Sequence, residues 1–201
     1  MRKPVLGVDA DDVVWKLNQA YVEYHNLQHG TNFKYEDIFT FDMVKMYGLP
    51  LETILDNVYR LITQKHHRLV PFEGAIAAFT QLATLYDLQI ITSRTESIRD
   101  VTVAALEGHA PGLFSAFHFT NGFSRAGAYV KRSKLEVCRE IGAVALVEDA
   151  PANILEVANG GIPVYMPRLS WNTFTRHPEL EHELVIPFTH HHELPKLLGA
   201  E

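Results

Sequence analysis

An apolar stretch near the start of the chain leads directly into a group of three carboxylates. Residues 5–8 read Val-Leu-Gly-Val, and Asp9, Asp11 and Asp12 follow at once. An apolar run of this kind predicts a strand buried on both faces of a parallel sheet. Crowded carboxylates repel one another unless a cation neutralises them. The segment therefore indicates a cation-binding site at a strand end, with a solvated acidic turn as the alternative.

Composition restricts the classes of protein to which the chain can belong. Its 201 residues are 47% hydrophobic and 21% charged, which is typical of one globular domain with a modest insertion. The net charge of -6 argues against binding to duplex nucleic acid. The single cysteine, Cys138, excludes an internal disulfide. Because the sequence has neither a signal-peptide pattern nor an apolar run near the roughly 20 residues of a membrane span, we expect a cytoplasmic protein without membrane contact.

Strand and helix patterns alternate along most of the chain. After the first strand, further strands are predicted at 88–91, 114–119, 143–147 and 162–166. Helices are predicted from the spacing of apolar residues at 13–26, 51–65, 75–85, 97–107, 135–141, 153–158 and 194–198. This alternation predicts an α/β, Rossmann-like open parallel sheet with helices on both faces.

One segment departs from the alternation. Residues 16–70 contain helical patterns and aromatic residues but no strand pattern. We therefore predict a core formed by residues 1–15 and 71–201, with residues 16–70 inserted as a small helical unit after the first strand. Phe39 and Phe41 in this unit offer flat apolar surfaces to a substrate, and packing within the unit explains them equally well.

Polar residues follow three of the predicted strands. Besides the acidic group after the first strand, Thr92-Ser93-Arg94 follows the second and Glu148-Asp149 follows the fourth. Hydroxyls and an arginine at a strand end suit an anion, although a helix N-cap is an equal explanation for that segment. In open parallel sheets, ligands bind at the carboxyl ends of the strands. The three groups are therefore expected to form one site.

These motifs resemble those of the haloacid dehalogenase (HAD) superfamily of phosphohydrolases. The run Asp9-Ala10-Asp11-Asp12-Val13 is similar to the first motif, and residues 88–92 are similar to the second. Lys134, or else Lys131, is similar to the third, and Glu148-Asp149 to the fourth. The resemblance covers most of the chain outside residues 16–70, which resemble the C1-type cap of the superfamily.

The resemblance implies a Mg2+-dependent phosphomonoester hydrolase that acts through an aspartyl-phosphate intermediate. Asp9 is the implied nucleophile, and Asp11 is the implied general acid and base. Thr92 and Lys134 are the implied partners of the phosphoryl group, with Ser93 and Arg94 binding substrate beside them. The implied metal ligands are Asp9, Asp11 through its backbone carbonyl, Asp149, and Glu148 either directly or through water.

A narrower resemblance concerns the substrate. The segment 29–42, with its Glu36-Asp37-Ile38, and the segment 71–75 are similar to the cytosolic 5'(3')-deoxyribonucleotidase group, although Asp12 stands where glycine is usual in that group. This resemblance implies a small phosphorylated metabolite as partner, a (deoxy)ribonucleoside monophosphate above all. Two alternatives stay open: a phosphatase for a sugar phosphate or another small metabolite, and a catalytically idle HAD-fold binding protein.

Overall fold

A parallel β-sheet forms the centre of the computed structural model, which describes residues 2–64, 69–124 and 129–200. The described strands are β1 (Val5–Val8), β2 (Asp87–Thr92), β3 (Ala116–Phe119), β4 (Ala143–Val147), β5 (Val164–Pro167) and β6 (Val185–Phe188). They are ordered β3-β2-β1-β4-β5-β6, and all neighbouring pairs are parallel. The predicted α/β, Rossmann-like sheet is therefore confirmed.

Helices cover both faces of this sheet. The described α-helices are α1 (Leu17–His29), α2 (Met43–Tyr47), α3 (Leu51–Gln64), α4 (Ala75–Leu82), α5 (Arg99–His109), α6 (Lys134–Ile141), α7 (Pro151–Asn159) and α8 (Leu194–Leu197). On β1, Leu6 and Val8 belong to the same buried cluster as Phe79 of α4, whereas Val5 belongs to a second cluster with Val137 of α6. This alternation follows from the period of two in a strand, and it places β1 inside the molecule on both faces.

Strand β6 was not predicted from the sequence. It contains Pro187, which has no N–H to donate to a neighbouring strand and therefore argues against a central strand. The structure resolves this conflict by placing β6 at the edge of the sheet, where it pairs only with β5 among the described strands. A strand at an edge tolerates proline because one of its sides needs no partner.

Helix α1 begins four residues later than the predicted start at Val13. The intervening chain forms a turn in which Asp12 has a φ of 56° and the N–H groups of Val14 and Trp15 both bond to the carbonyl of Ala10, each at 3.0 Å. The left-handed conformation of Asp12 cannot be part of a helix, and it needs a residue type that tolerates positive φ. The sequence predicts Asp12 as a turn residue, but the spacing of apolar residues places the start of the helix too early, at Val13.

The two connections between the core and residues 16–70 lie side by side. The N–H of Lys16 donates to the carbonyl of Val70 at 3.0 Å, and the N–H of Phe72 donates to the carbonyl of Val14 at 2.9 Å. Within the insertion, α1 contacts α3, and α3 in turn contacts α5 of the sheet-containing part. The division at residues 15/16 and 70/71 stays a prediction, but its two predicted boundaries are joined by these hydrogen bonds.

An aromatic cluster forms much of the interior of the insertion. The ring of Tyr47 lies 5.1 Å from that of Tyr21 and 4.6 Å from that of His25, measured between centroids. Residue 65, the predicted end of the helix that begins at Leu51, lies outside the described residues. None of the helices in the described ranges combines the length and the apolar character that a membrane span requires. The cytoplasmic location stays a prediction.

Candidate active site

Three buried carboxylates meet where β1 and β4 end. Asp9 follows β1, and Glu148 and Asp149 follow β4, which is paired with β1. Each of the three residues places a carboxylate oxygen within 4.8 Å of the other two, and all three residues are buried. The parallel pairing explains this arrangement, because it brings the carboxyl ends of neighbouring strands to the same edge of the sheet.

Lys134 is the cation that faces this group. Its Nζ lies 2.7 Å from Oδ1 of Asp9 and 2.5 Å from Oε2 of Glu148. It is the first residue of α6, whose start is fixed by a capping box between Ser133 and Glu136. The other candidate, Lys131, is exposed and donates instead to the carbonyl of Gly122 at 3.0 Å. Of the two lysines, the structure therefore places Lys134 beside Asp9.

Both carboxylate oxygens of Glu148 have partners within the protein. Oε2 accepts from Lys134, and Oε1 accepts from the N–H groups of Asp149 at 3.1 Å and Ala150 at 2.9 Å. These backbone donors lie at the start of α7, where a helix leaves N–H groups without intrahelical partners. Glu148 thus links Lys134 to the residues directly before α7, and the predicted contact of Glu148 with a metal ion, direct or through water, stays a prediction.

Asp149 is held by two side chains that the sequence analysis did not identify. Nε1 of Trp171 donates to Oδ2 of Asp149 at 3.0 Å, and Nδ2 of Asn172 donates to the backbone carbonyl of Asp149 at 2.9 Å. Both residues are fully buried, in the loop after β5. No pattern in the sequence marks them, because their role depends on a loop that folds back over the neighbouring strand end.

The electrostatics of this cluster favour an added cation. Burial raises the pKa of Asp9 to about 8, against the opposing effect of Lys134 and with support from Glu148 and Asp11. Burial and the neighbouring Glu148 also raise the pKa of Asp149 well above its ordinary value. The pKa of Lys134 is raised by Asp9 and Glu148 in spite of its burial, so the lysine stays protonated. One ammonium group does not balance three buried carboxylates.

The donor set fits a hard divalent cation such as Mg2+, which prefers oxygen ligands. Within the described part of the chain, the hydrogen bonds to the side chain of Asp9 fall on Oδ1, and those to the side chain of Asp149 fall on Oδ2. The second oxygen of each carboxylate is therefore left for a metal ion. A divalent cation held by Asp9 and Asp149 would also stabilise their ionised forms, which burial and the neighbouring carboxylates disfavour.

Asp11 is paired with Arg94 from the end of β2. Nε and Nη2 of Arg94 donate to the two carboxylate oxygens of Asp11 at 2.9 Å and 2.7 Å, and Nη1 donates to Oγ1 of Thr102 in α5 at 3.0 Å. Arg94 is buried, and Asp11 is partly exposed to solvent. The predicted contact of Arg94 with substrate stays a prediction, since its donors are directed at Asp11 and Thr102.

The two hydroxyls after β2 differ in their surroundings. Thr92 is fully buried, and its Oγ1 accepts from the N–H of Arg94 at 3.2 Å. Ser93, by contrast, lines a cavity together with Asp9 and Asp149. Of the two residues, Ser93 is therefore the better placed to contact a bound anion, and the predicted contact of Thr92 with a phosphoryl oxygen stays a prediction.

Asp12 connects the acidic turn to the insertion. Its carboxylate oxygens accept from the N–H of Asn18 at 3.1 Å and 3.2 Å, in the first turn of α1. Burial raises the pKa of Asp12, and the bond from Asn18 opposes that shift. Asp12 is thus a turn residue whose side chain also holds the start of the first helix of the insertion.

Two cavities adjoin the acidic residues that follow β1. The reaction cavity has a volume of about 200 Å³ and is lined by Asp9, Ser93, Asp149, Phe41, Met46 and Tyr47, among others. The side cavity has a volume of about 330 Å³, and its lining includes Asp11 and Arg94 but not Asp9 or Asp149. Phe39 lines neither cavity and lies near Lys45 and Arg176 instead. The predicted substrate contacts of Phe41 and Phe39 both stay predictions, with Phe41 at the reaction cavity and Phe39 outside both cavities.

Solved structures with a similar fold cover nearly the whole chain. A predicted phosphatase from Clostridium acetobutylicum has 12% sequence identity and a TM-score of 0.68, with 100% of both chains covered. A conserved haloacid dehalogenase-like protein from Agrobacterium tumefaciens has 16% identity and a TM-score of 0.68, with 98% of both chains covered. L-2-haloacid dehalogenase from Xanthobacter autotrophicus has 15% identity and a TM-score of 0.63, with 99% of both chains covered.

The sequence itself gives no comparable match. Neither a protein-family model nor a curated protein sequence matches the chain. At identities this low, the structural similarity establishes a shared architecture, and the chemistry has to be argued from the residues of the site. The chain has the α/β fold of haloacid dehalogenase-like hydrolases, with its acidic cluster at the carboxyl edge of the sheet.

Proposed function

We propose that this protein is a phosphomonoester hydrolase in which Asp9 is the nucleophile and Mg2+ is the cofactor. The observation that carries the proposal is the group of Asp9, Glu148 and Asp149, whose oxygens lie within 4.8 Å of one another, with Lys134 bonded to two of them. A phosphomonoester dianion is repelled by a carboxylate nucleophile, so a site for this chemistry must concentrate positive charge beside that nucleophile. Lys134 and a cation between two carboxylates meet this need.

The proposed reaction has two steps at Asp9. In the first, a carboxylate oxygen of Asp9 attacks phosphorus, the bond from phosphorus to the ester oxygen breaks, and the departing alcohol takes up a proton. In the second, water attacks the aspartyl phosphate and gives up a proton, which releases inorganic phosphate and restores Asp9. Lys134 stabilises negative charge on Asp9 and the phosphoryl group, and Ser93 donates a hydrogen bond to a phosphoryl oxygen.

The residues that would hold Mg2+ are Asp9 and Asp149 through their side chains and Asp11 through its backbone carbonyl. Glu148 would act through water, because both of its oxygens already accept bonds from the protein. When bound, the ion would supply positive charge that attracts the phosphoryl oxygens towards Asp9. The backbone of Asp149 is fixed by Asn172 and its carboxylate by Trp171, so the orientation of this ligand is set by the protein.

Asp11 is the proposed proton donor and acceptor. Asp11 lines both cavities, and it stands two residues after the nucleophile in the sequence. Because Arg94 bonds to both oxygens of Asp11, the carboxylate must give up one of these bonds before it delivers a proton to the ester oxygen. Arg94 is therefore a positioning residue in this proposal, holding the side chain of Asp11 at the boundary between the two cavities.

For the substrate we propose a (deoxy)ribonucleoside monophosphate. The reaction cavity joins carboxylates for metal and phosphate binding to apolar residues such as Phe41, Met46 and Tyr47. A sugar phosphate is the second candidate, because polar side chains such as Asn18 and Asn153 also line this cavity and are available to bond to sugar hydroxyls. An idle binding protein is disfavoured by the cluster itself, since buried carboxylates of raised pKa are costly to keep without a function.

A panel of phosphomonoesters tests the proposed activity. Hydrolysis of a nucleoside monophosphate and of phenyl phosphate would be measured with Mg2+ and with EDTA in place of Mg2+. We expect release of inorganic phosphate only with Mg2+, and none from Asp9→Asn. The matched control is Asp87→Asn, which removes a carboxylate at the opposite end of β2, paired there with the start of β1, and should leave the rate within about twofold. Equal activity in Asp9→Asn would refute the assignment of the nucleophile.

A further inference from the structure

The side cavity has the character of a binding site for the organic group of a substrate. Its apolar lining comes from the insertion and from the sheet-containing part: Leu55, Tyr59, Ile62, Ile98, Phe123 and Tyr129. Three of these side chains are large aromatics that are substantially exposed, namely Tyr59 at 48%, Phe123 at 42% and Tyr129 at 40%. Exposed aromatic side chains that gather around one cavity indicate a binding surface, because single exposed apolar residues are normally scattered.

The position of the side cavity relates it to the proposed reaction. Asp11, Leu17, Leu55, Val58 and Phe123 line both cavities, whereas Asp9 and Asp149 line only the reaction cavity. A phosphoryl group at Asp9 with its ester oxygen at Asp11 would direct the rest of the substrate past Asp11. Asp11 lines both cavities, and the side cavity is the one lined by all three of the exposed aromatic residues named above.

A buried hydroxyl without a partner lies in the same wall. Ser124 lines the side cavity and is only 6% exposed, and its Oγ has no hydrogen-bond partner among the described residues. A buried polar group without a partner costs free energy, so an unpaired hydroxyl at a cavity wall indicates a position where a ligand atom completes a hydrogen bond. The aromatic residues and this hydroxyl together suit a flat ring that carries a polar atom at its edge.

We infer that the side cavity binds the ring of the substrate's ester group, with Tyr59, Phe123 and Tyr129 contacting the ring and Ser124 bonding to a polar atom on its edge. This inference rests on the proposed phosphomonoester hydrolysis, and it names the substrate class as phosphomonoesters of ring-bearing alcohols, the ring being a nucleobase. The volume of the side cavity is large enough for such a ring. A cavity of roughly 150 Å³ holds one benzene molecule, and the side cavity has about 330 Å³.

Two matched substrate pairs test the inference. Thymidine 5'-monophosphate and 2-deoxyribose 5-phosphate differ by the base, and benzyl phosphate and ethyl phosphate differ by a plain ring, while all four are esters of primary alcohols. In the unaltered protein we expect kcat/KM to be about tenfold or more higher for thymidine 5'-monophosphate than for 2-deoxyribose 5-phosphate. The preference for benzyl over ethyl phosphate should be smaller, because a benzene ring has no polar atom that could form a hydrogen bond with Ser124.

Two substitutions separate the contribution of the aromatic contact to substrate preference from that of the Ser124 hydroxyl. Tyr59→Ala should remove most of the preference for thymidine 5'-monophosphate and leave the rate on 2-deoxyribose 5-phosphate within about twofold, since Tyr59 lines only the side cavity. Ser124→Ala should lower kcat/KM for thymidine 5'-monophosphate about three- to tenfold without affecting benzyl phosphate. Leu27→Ala is the control, because Leu27 is an exposed side chain of the insertion that lines neither cavity.

Binding without turnover gives an independent measurement. Titration calorimetry of the Asp9→Asn protein with thymidine 5'-monophosphate should show weaker binding after Tyr59→Ala is added. Equal rates on both members of each substrate pair, or equal losses on both members in Tyr59→Ala, would overturn the inference and leave the proposed hydrolysis intact. Absence of hydrolysis for all four esters would instead reject the proposed function. An unchanged preference in Ser124→Ala would overturn the hydrogen bond assigned to Ser124.

Discussion

At the scale of single residues, Asp149 and Glu148 show how neighbouring carboxylates acquire different roles. Both oxygens of Glu148 accept bonds, from Lys134 and from backbone N–H groups, whereas among the described residues the carboxylate of Asp149 accepts one bond, from Trp171. The difference follows from their partners rather than from their residue types. Asp149 is therefore the better candidate for direct contact with a metal ion, and Glu148 for orienting the cationic side chain beside it.

Trp171→Phe tests the support given to Asp149. The substitution keeps most of the buried ring and removes the N–H that bonds to Oδ2 of Asp149. Loss of such an outer contact typically weakens metal binding about 10- to 100-fold, so we expect the Kd for Mg2+ to rise by that factor. Calorimetric titration with Mg2+ measures it. Trp15→Phe is the matched control, because Nε1 of Trp15 has no hydrogen-bond partner among the described residues. Equal Mg2+ affinity in both variants would contradict the proposed role of Trp171.

Asp9→Asn and Asp11→Asn should fail in different ways. Without Asp9 no phosphoenzyme forms, so hydrolysis of every ester is lost. Without Asp11 the leaving group lacks its proton, and phenyl phosphate, whose phenolate leaves readily, should retain more activity than benzyl phosphate. The measurement is kcat/KM for both esters in each variant. Losses of the same size on the two esters in Asp11→Asn would show that Asp11 is not the acid.

A site residue could be predicted when it lies next to a recognisable strand pattern in the sequence. Asp9, Glu148 and Asp149 follow apolar strands directly, so the strand pattern also located them. Trp171 and Ser124 lie in loops, and their relation to the site exists only after distant segments come together. Phe39 and Phe41 share one aromatic segment, and only the fold separates the side chain at the reaction cavity from the one outside it.

At the scale of elements, the start of α6 determines where Lys134 lies. Oγ of Ser133 accepts from the N–H of Glu136 at 3.1 Å, and the carboxylate of Glu136 accepts from the N–H of Ser133 at 2.7 Å. This reciprocal pair fixes the first turn of the helix, on which Lys134 is the first residue. Because the backbone of Lys134 is fixed in this turn, its long side chain is held within reach of Asp9.

Ser133→Ala should lower both stability and activity. Loss of an N-cap hydroxyl costs about 0.5–2 kcal/mol, and the freed first turn would let Lys134 move away from Asp9. We expect urea unfolding to show a loss of this size and kcat to decrease. Ser133→Asp keeps an oxygen that can accept the capping hydrogen bond, so it should preserve stability. This control distinguishes loss of the capping bond from loss of the serine side chain as such. A Ser133→Ala protein as stable as the parent would exclude this account of the helix start.

Two elements differ from the sequence prediction, one missed and one placed too early, for separate physical reasons. Strand β6 contains a proline that only an edge position tolerates, and the late start of α1 reflects a turn with a positive φ at Asp12. In the first case the position in the whole sheet overrides the local pattern, and in the second a local turn closed on the carbonyl of Ala10 delays the helix. The central strands were predictable because their burial on both faces leaves a continuous apolar run in the sequence.

At the scale of the whole molecule, the acidic cluster links folding to pH. Without a cation, burial raises the pKa of Asp9 in the folded protein to about 8, whereas an aspartate in the unfolded chain titrates near about 3.9. Between these values the unfolded chain has released a proton that the folded protein retains. The contribution of Asp9 to the free energy of unfolding therefore falls as pH rises from about 4 to about 8, and Asp149 acts in the same direction.

Mg2+ should reverse this loss, because it binds the ionised carboxylates and competes with protons. At a concentration one hundred times its Kd, a ligand that binds only the folded state stabilises it by about 2.7 kcal/mol. We expect Mg2+ to raise the free energy of unfolding more at pH 8 than at pH 5, as measured by urea unfolding with Mg2+ or with EDTA. In Asp9→Asn, both the pH dependence in EDTA and the gain from Mg2+ should be smaller. If Mg2+ stabilised the parent protein equally at both pH values, the buried carboxylates would not be its binding site.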